Sequence, residues 1–150
     1  MTNSTFFGLA PLLVARIKSL APPNVKVIES LSIESIAAHH ANVFPAIHVL
    51  YAGHRISDTA VSSRGVVYTT EWAVIFAVRN VQSTAGPGPA LSDSGQFIDP
   101  VIQGLNAWEP ATGEYMELQP VSPRLPVFTL GSMFIPFSYE SDLPITTTNL

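Results

Sequence analysis

Apolar and polar positions alternate most sharply at residues 66–79. Tyr68, Thr70, Trp72, Val74, Phe76 and Val78 fall on one side, and Glu71, Ala73, Ile75, Ala77 and Arg79 on the other. A period of two predicts a strand, and the large apolar side is the one that must pack on a core. The second side mixes small and charged residues, which suits solvent or a neighbouring subunit. Residues 46–52 are apolar on both sides, the pattern of a central strand covered on two faces. Helical spacing appears twice. Phe6, Leu9, Leu13, Ile17 and Leu20 share one face, with Asn3, Ser4 and Thr5 as candidate N-caps. Pro11 belongs in the first turn of that helix or bends it, and Ala21-Pro22-Pro23 ends it. A second helix is predicted over 91–107 from Leu91, Ile98, Val101, Ile102, Leu105 and Trp108. Pro100 inside it implies a bend, or a restart capped by Asp99.

The remaining segments are shorter. Residues 25–30 read as a strand, 32–41 as a short helix or turn capped by Ser32, and 115–119 as a strand. In 132–140, Met133, Ile135, Phe137 and Tyr139 alternate with smaller residues, and Pro136 predicts an edge or bulged position. Residues 82–89 are a flexible Gly/Pro-rich connection. Residues 53–65, with Arg55, Asp58, Ser62, Ser63 and Arg64, read as a polar loop longer than a tight hairpin needs. That loop is a solvated tip or a contact arm. The tail 142–150 is polar, docked or mobile. Helix, three strands, helix, strands: this order predicts an α+β fold, a mostly antiparallel sheet with two main helices packed against it, as a single compact domain over 1–150.

Composition changes this picture in one respect. Of the 150 residues, 47% are hydrophobic and only 12% charged, where soluble domains carry about 25% charged residues. A surface so poor in charge suits a subunit covered by neighbours. The net charge of −4 argues against binding nucleic acid through a basic face. The absence of cysteine excludes disulfides, thiolate metal sites and a cysteine nucleophile. The apolar stretch 6–15 has no basic residue before it and Arg16 and Lys18 after it, the reverse of a signal peptide, and it is too short to span a bilayer.

Candidate chemistry is sparse. No phosphate-binding Gly-rich loop or nucleophile elbow is present; in Gly86-Pro87-Gly88 the proline lacks the N–H such a loop needs. Acidic residues are scattered singly. His39 and His40 are adjacent and would diverge on a helix. His48 and His54 would share one face of a straight strand about 20 Å apart, too far for one metal. Trp72 and Trp108 read as core anchors. The expectation is no catalytic, cofactor-binding or metal residue, no cofactor and no enzyme activity.

The succession of elements nevertheless resembles a known family. An amphipathic helix ends Ala15-Arg16-Ile17-Lys18. The strand Ala46-Ile47-His48-Val49-Leu50-Tyr51-Ala52-Gly53 is followed by one ending Trp72-Ala73-Val74-Ile75-Phe76-Ala77-Val78-Arg79-Asn80. A helix closes with Leu105-Asn106-Ala107-Trp108-Glu109-Pro110, and the aromatic strand Phe134-Ile135-Pro136-Phe137-Ser138-Tyr139 comes last. Over roughly residues 5–140 this looks like the tail terminator-like proteins of Mu-like and related long-tailed bacteriophages. The resemblance implies a structural virion protein of the tail and neck, assembled in the host cytoplasm. It implies a homo-hexameric ring that caps the tail tube, ends its polymerisation and joins the tail to the head. The implied partners are further copies of itself, the tail tube protein, a neck or head-completion protein and, in a contractile tail, the sheath. DNA would only pass through the lumen, and no membrane is involved. Pro11, Pro100 and Pro136 depart from the smoother elements of the family. No contact residue transfers, so the loop 53–65 and the tail 142–150 stand as candidates for contact between subunits. The alternatives are another phage tail or head–tail completion protein, or a small ligand-binding domain or enzyme.

Overall fold

In the computed structural model the described residues are 6–30, 32, 34–36, 43–62, 65–79, 88–110, 115–122, 127–129 and 132–146. The elements are α1 (Leu9–Leu20), β1 (Lys26–Glu29), β2 (Ala46–Ser62), β3 (Gly65–Arg79), α2 (Gly88–Leu105), β4 (Gln119–Val121), β5 (Val127–Thr129) and β6 (Ser132–Thr146). They form the expected α+β fold. One sheet runs in the order β1-β2-β3-β6-β4, with β5 also pairing β6. Only the β1–β2 pairing is parallel.

Both helices lie against one face of this sheet. The apolar stripe of α1 buries Leu9, Ala10, Leu13 and Ile17, and α2 adds Phe97, Ile98, Val101 and Leu105. Facing them are Ile47 and Val49 from β2, Trp72, Val74, Phe76 and Val78 from β3, and Met133 and Tyr139 from β6. The alternation along 66–79 thus points its large apolar side at the helices. Pro11 sits in the first turn of α1, where a missing N–H costs nothing. The candidate caps Asn3, Ser4 and Thr5 lie outside the described residues. The helices cross closely: a Cβ on Gly104 would lie 2.5 Å from Leu20 Cδ1. Arg16 seals the crossing, donating from Nε and Nη2 to the Gly104 carbonyl at 3.3 and 3.0 Å. Its guanidinium also sits 5.5 Å from the centre of the Trp108 ring. Trp72 is the buried anchor expected; Trp108 is half-buried at the rim of the core.

The second face of the sheet is less bare than its sequence suggests. Ile75 and Ala77 are buried, and Ile36, Leu50 and Ile75 form a small second cluster. Ile36 reaches it from the short turn after Ser32, whose Oγ accepts from the Ser35 N–H at 3.0 Å as an N-cap. The rest of the helix expected to 41 lies outside the described residues.

Several expectations are corrected. Residues 53–62 are not a loop: β2 continues to Ser62 and pairs with β3 down to Ser62↔Gly65, while Ser63 and Arg64 lie outside the described residues. Of the two readings of the tail, docked or mobile, the described part is docked: β6 pairs with β3 as far as Gly65↔Thr146; residues 147–150 are outside the described set. Helix α2 starts at Gly88, inside the expected connection, and passes through Pro100 without interruption. Proline deprives the carbonyl four residues earlier of its donor, and Gln96 is exposed, so water can take that place. The strand expected at 115–119 forms only at Gln119–Val121, because Leu118 is occupied with the end of α2: its carbonyl accepts from Ala107 and its N–H donates to Trp108. Pro136 does not put β6 at an edge. β6 lies between β3 and the pair β4 and β5, which lie end to end along it, opposite Ser138–Glu140 and Ser132–Phe134. Pro136 falls between them, and no pairing on that side reaches it among the described residues.

Candidate assembly surface

The histidines do not converge. His48 is buried, with Nδ1 3.0 Å from Ser30 Oγ. His54 is exposed; its Nδ1 meets the Tyr51 hydroxyl and its ring stacks on Tyr51. The two occupy opposite faces of the sheet, not one face as a straight strand requires. Ala52 is an extra residue, since Tyr51 pairs with Trp72 and Gly53 with Glu71. One inserted residue flips the side chains that follow it, as far as the second irregularity after Ile56, so His48 opposes Ile75 while His54 opposes Thr70. Gly53 takes φ 123° after the bulge, a conformation in which a side chain is strained. His39 and His40 lie outside the described residues. Among the described residues no three His, Asp or Glu side chains come close enough to hold a metal. Burial raises the Tyr51 hydroxyl pKa, and pushes that of Tyr139, inside the helix-covered core, up to about 12.

What the fold does gather is charge. On the face away from the helices, Arg55 Nη2 pairs with Glu140 Oε2 at 3.2 Å. Thr69 Oγ1 donates to Asp142 Oδ1 at 2.7 Å, and Glu71 stands opposite Glu140 in the ladder. Past β6 the chain from Met116 to Gln119 runs alongside: the Met116 N–H donates to the Asp142 carbonyl, and Ser141 Oγ to the Met116 carbonyl. Between these elements lies a groove of about 490 Å³, whose lining includes Arg55, Glu109, Met116, Glu117, Glu140 and Asp142. Four carboxylates thus face one guanidinium. These acids are single in the sequence and come from three segments. The non-local contacts of residues 116–121 with β6, and of Ala107 and Trp108 with Leu118, bring them together, so no local signal marks the groove.

Large apolar side chains are also exposed. Phe7, Ile56 and Met116 are each more than half exposed, at 58%, 53% and 55%. Phe7 packs edge-on against Tyr51 beside Phe6, next to His54 and Tyr68. Ile56 opposes Tyr68, and exposed Ile145 opposes Val66, so both lie at the end of the sheet where β2, β3 and β6 outrun the helices. Exposed apolar side chains grouped in this way suit contact with other proteins rather than turnover of a small molecule.

No curated protein matches the chain. Among solved structures, a chain from "Virion of native gene transfer agent (GTA) particle" is similar, with a TM-score of 0.44 and 10% identity, over 89% of this chain and 84% of that one. The family model described as phage tail terminator protein matches residues 2–149. The chain belongs to the phage tail terminator family, structural proteins of the virion tail.

Proposed function

We propose that this chain is the subunit of a hexameric ring that caps the finished tail tube, ends its polymerisation and joins the tail to the head. The observation that carries this is the family match across residues 2–149. The whole chain then acts as one terminator domain. Its low charge content and the exposed Phe7, Ile56 and Met116 support a subunit covered by neighbours. Termination is geometric: one face of the ring copies the end of the tube, and the other offers the next tube subunit no landing surface. The partners are the tube protein on one side, a neck protein on the other, and the sheath where the tail contracts. DNA passes through the lumen without being held. Assembly takes place in the host cytoplasm, and no catalytic step is involved.

The test adds the purified chain, in amounts well below the tube protein, to polymerising tube protein, and measures tube lengths by electron microscopy. Tubes that stop growing with a ring at one end support the reading. Tubes whose lengths do not respond to the chain overturn it. Light scattering of the chain alone is expected to give a mass of about six copies, the closed cyclic assembly of a head-to-tail contact.

A further inference from the structure

His48 is 0% exposed and has no part in the surfaces described above. It lies on the face of the sheet away from the main helices. It pairs with Ile28 on one side and Ile75 on the other, and Ile75 shares its side of β3 with Glu71. Along β2 its neighbours on that face are Ala46 and Leu50, so register surrounds the ring with apolar side chains. Ile36, from the connection between β1 and β2, closes over the same area by packing on Leu50 and Ile75. The foot of that connection is Ser30, itself buried, with Oγ 3.0 Å from His48 Nδ1. This cover is slight. Among the described residues its cluster has three buried members, against twenty in the core under the helices. The two clusters share no residue, so the cover can lift while the main core stays closed. Charged groups near the ring are few. β1 brings Lys26, on the same face two residues before Ile28, and the connection brings Glu34; both are exposed. On this side of β3 stand Ala73, Ile75 and Ala77, and Glu71 lies beyond them opposite Gly53. Phe134 of β6, packed on the cluster, is uncharged. His39 and His40 lie outside the described residues.

We infer that His48 is an acid-sensitive latch: neutral, it lies closed with Ser30 under the β1–β2 connection, and protonated, it lifts that connection off the sheet and bares Leu50 and Ile75. Burial among apolar side chains disfavours the charged ring, whereas the lifted connection lets water reach it. Lys26, on the same side, adds a like charge to that penalty. The sign follows. An imidazole in water takes up its proton near pH 6.5. The closed form is therefore fully held above that pH, and loses ground as the pH falls below it. The separation of the two clusters makes the opening local, confined to the weakly covered part of the face. The latch is independent of the ring: it works in the single chain, whether or not copies assemble.

The test is amide hydrogen exchange of the wild-type chain at about pH 8 and about pH 5, corrected for the intrinsic effect of pH on exchange. The reporters are the amides of Ser35 and Ile36, which donate to Oγ and the carbonyl of Ser32. Their opening is expected to rise by up to about thirtyfold in acid, the gain set by proton uptake near pH 6.5 in the open form. The amides of Val74 and Phe76 in β3 are expected to keep their protection. A dye for exposed apolar surface is expected to bind in acid as Leu50 and Ile75 are bared. His48→Asn leaves a polar atom close to the place of Nδ1 and takes up no proton, so its protection is expected to be alike at both pH values. Titration of the His48 ring by NMR in the wild-type chain decides the matter even if that variant does not fold, because proton uptake must coincide with the loss of protection. Protection that holds in acid overturns the latch. So does a ring that takes up its proton with the connection still closed, or an acid opening that His48→Asn retains. Equal loss of protection in β3 overturns it too, since acid would then unfold the whole chain.

Discussion

The two faces of the sheet are built from the same strands under different rules. On the helix-covered face, every second residue of β3 from Thr70 to Val78 is at most 6% exposed, and the partners opposite are Ser141, Tyr139, Phe137, Ile135 and Met133. On the other face the same strand shows Glu71 and Ala73, and the strands beside it show Arg55, Glu140 and Asp142. The first face is held by a large area removed from water; the second has only the small Ile36–Leu50–Ile75 cluster and, at the end that carries Arg55, Glu140 and Asp142, a few polar contacts. Such contacts contribute little to folding, so selection on the second face has room to act on partners instead. The comparison teaches where to look for each property: stability in the helix-covered layer, assembly on the open layer and at its margins.

The largest expected effect breaks the covered face. Trp72 is 2% exposed, and its indole N–H donates to Thr70 Oγ1 at 3.1 Å. Trp72→Ala removes that payload and leaves a cavity, with an expected loss of about 3–5 kcal/mol. Urea unfolding should show a lower midpoint with the slope unchanged. Tyr139 probes the same layer by pH. Burial raises its hydroxyl from an ordinary value of 10.0 to about 12, so the folded state favours the neutral phenol. That contribution is complete below pH 10 and is lost as pH rises from 10 towards 12. Tyr139→Phe should flatten this alkaline fall in a series of melting curves.

Between the faces stands the bulge. Gly53→Ala forces a side chain into φ 123°. The expected cost is roughly 1–3 kcal/mol, although nothing within 4 Å would clash with the new methyl. A cost near zero would show that the bulge relaxes, and with it the side to which His54 and Arg55 point. The same bulge marks the limit of what the sequence discloses. Helix α1, the strand β3 and its core face are legible from period alone, because local period is what burial on one side imposes. The continuation of β2 through 53–62 is not, because the exposed residues 54–56 need no apolar alternation. Nor is the course of β6 beyond Tyr139, which depends on pairing with β3 across more than fifty residues of chain. The acidic groove depends on a second non-local contact, that of residues 116–121 with β6, so it was hidden for the same reason. Pro136 misled in a physical way: it forbids a donor, and a gap between two short partners meets that condition as well as an edge does.

The smallest expected effect sharpens the comparison most. Arg55 is the one base lining the groove, and its side chain is 58% exposed against 25% for Glu140. An exposed pair of this kind is worth about 0–1 kcal/mol, so Arg55→Gln should leave the melting temperature nearly unchanged. Its effect on association has the opposite sign from a loss of contact. Removing the guanidinium frees Glu140 and makes the groove more acidic, so a basic surface on a partner should be held more tightly at low salt. Light scattering of Arg55→Gln beside wild type, at low and high salt, measures this directly. Tighter assembly at low salt that vanishes at high salt is expected if the open face serves a basic partner. Weaker assembly at both would mean that Arg55 itself makes the contact, with its charge rather than the carboxylates presented to the partner.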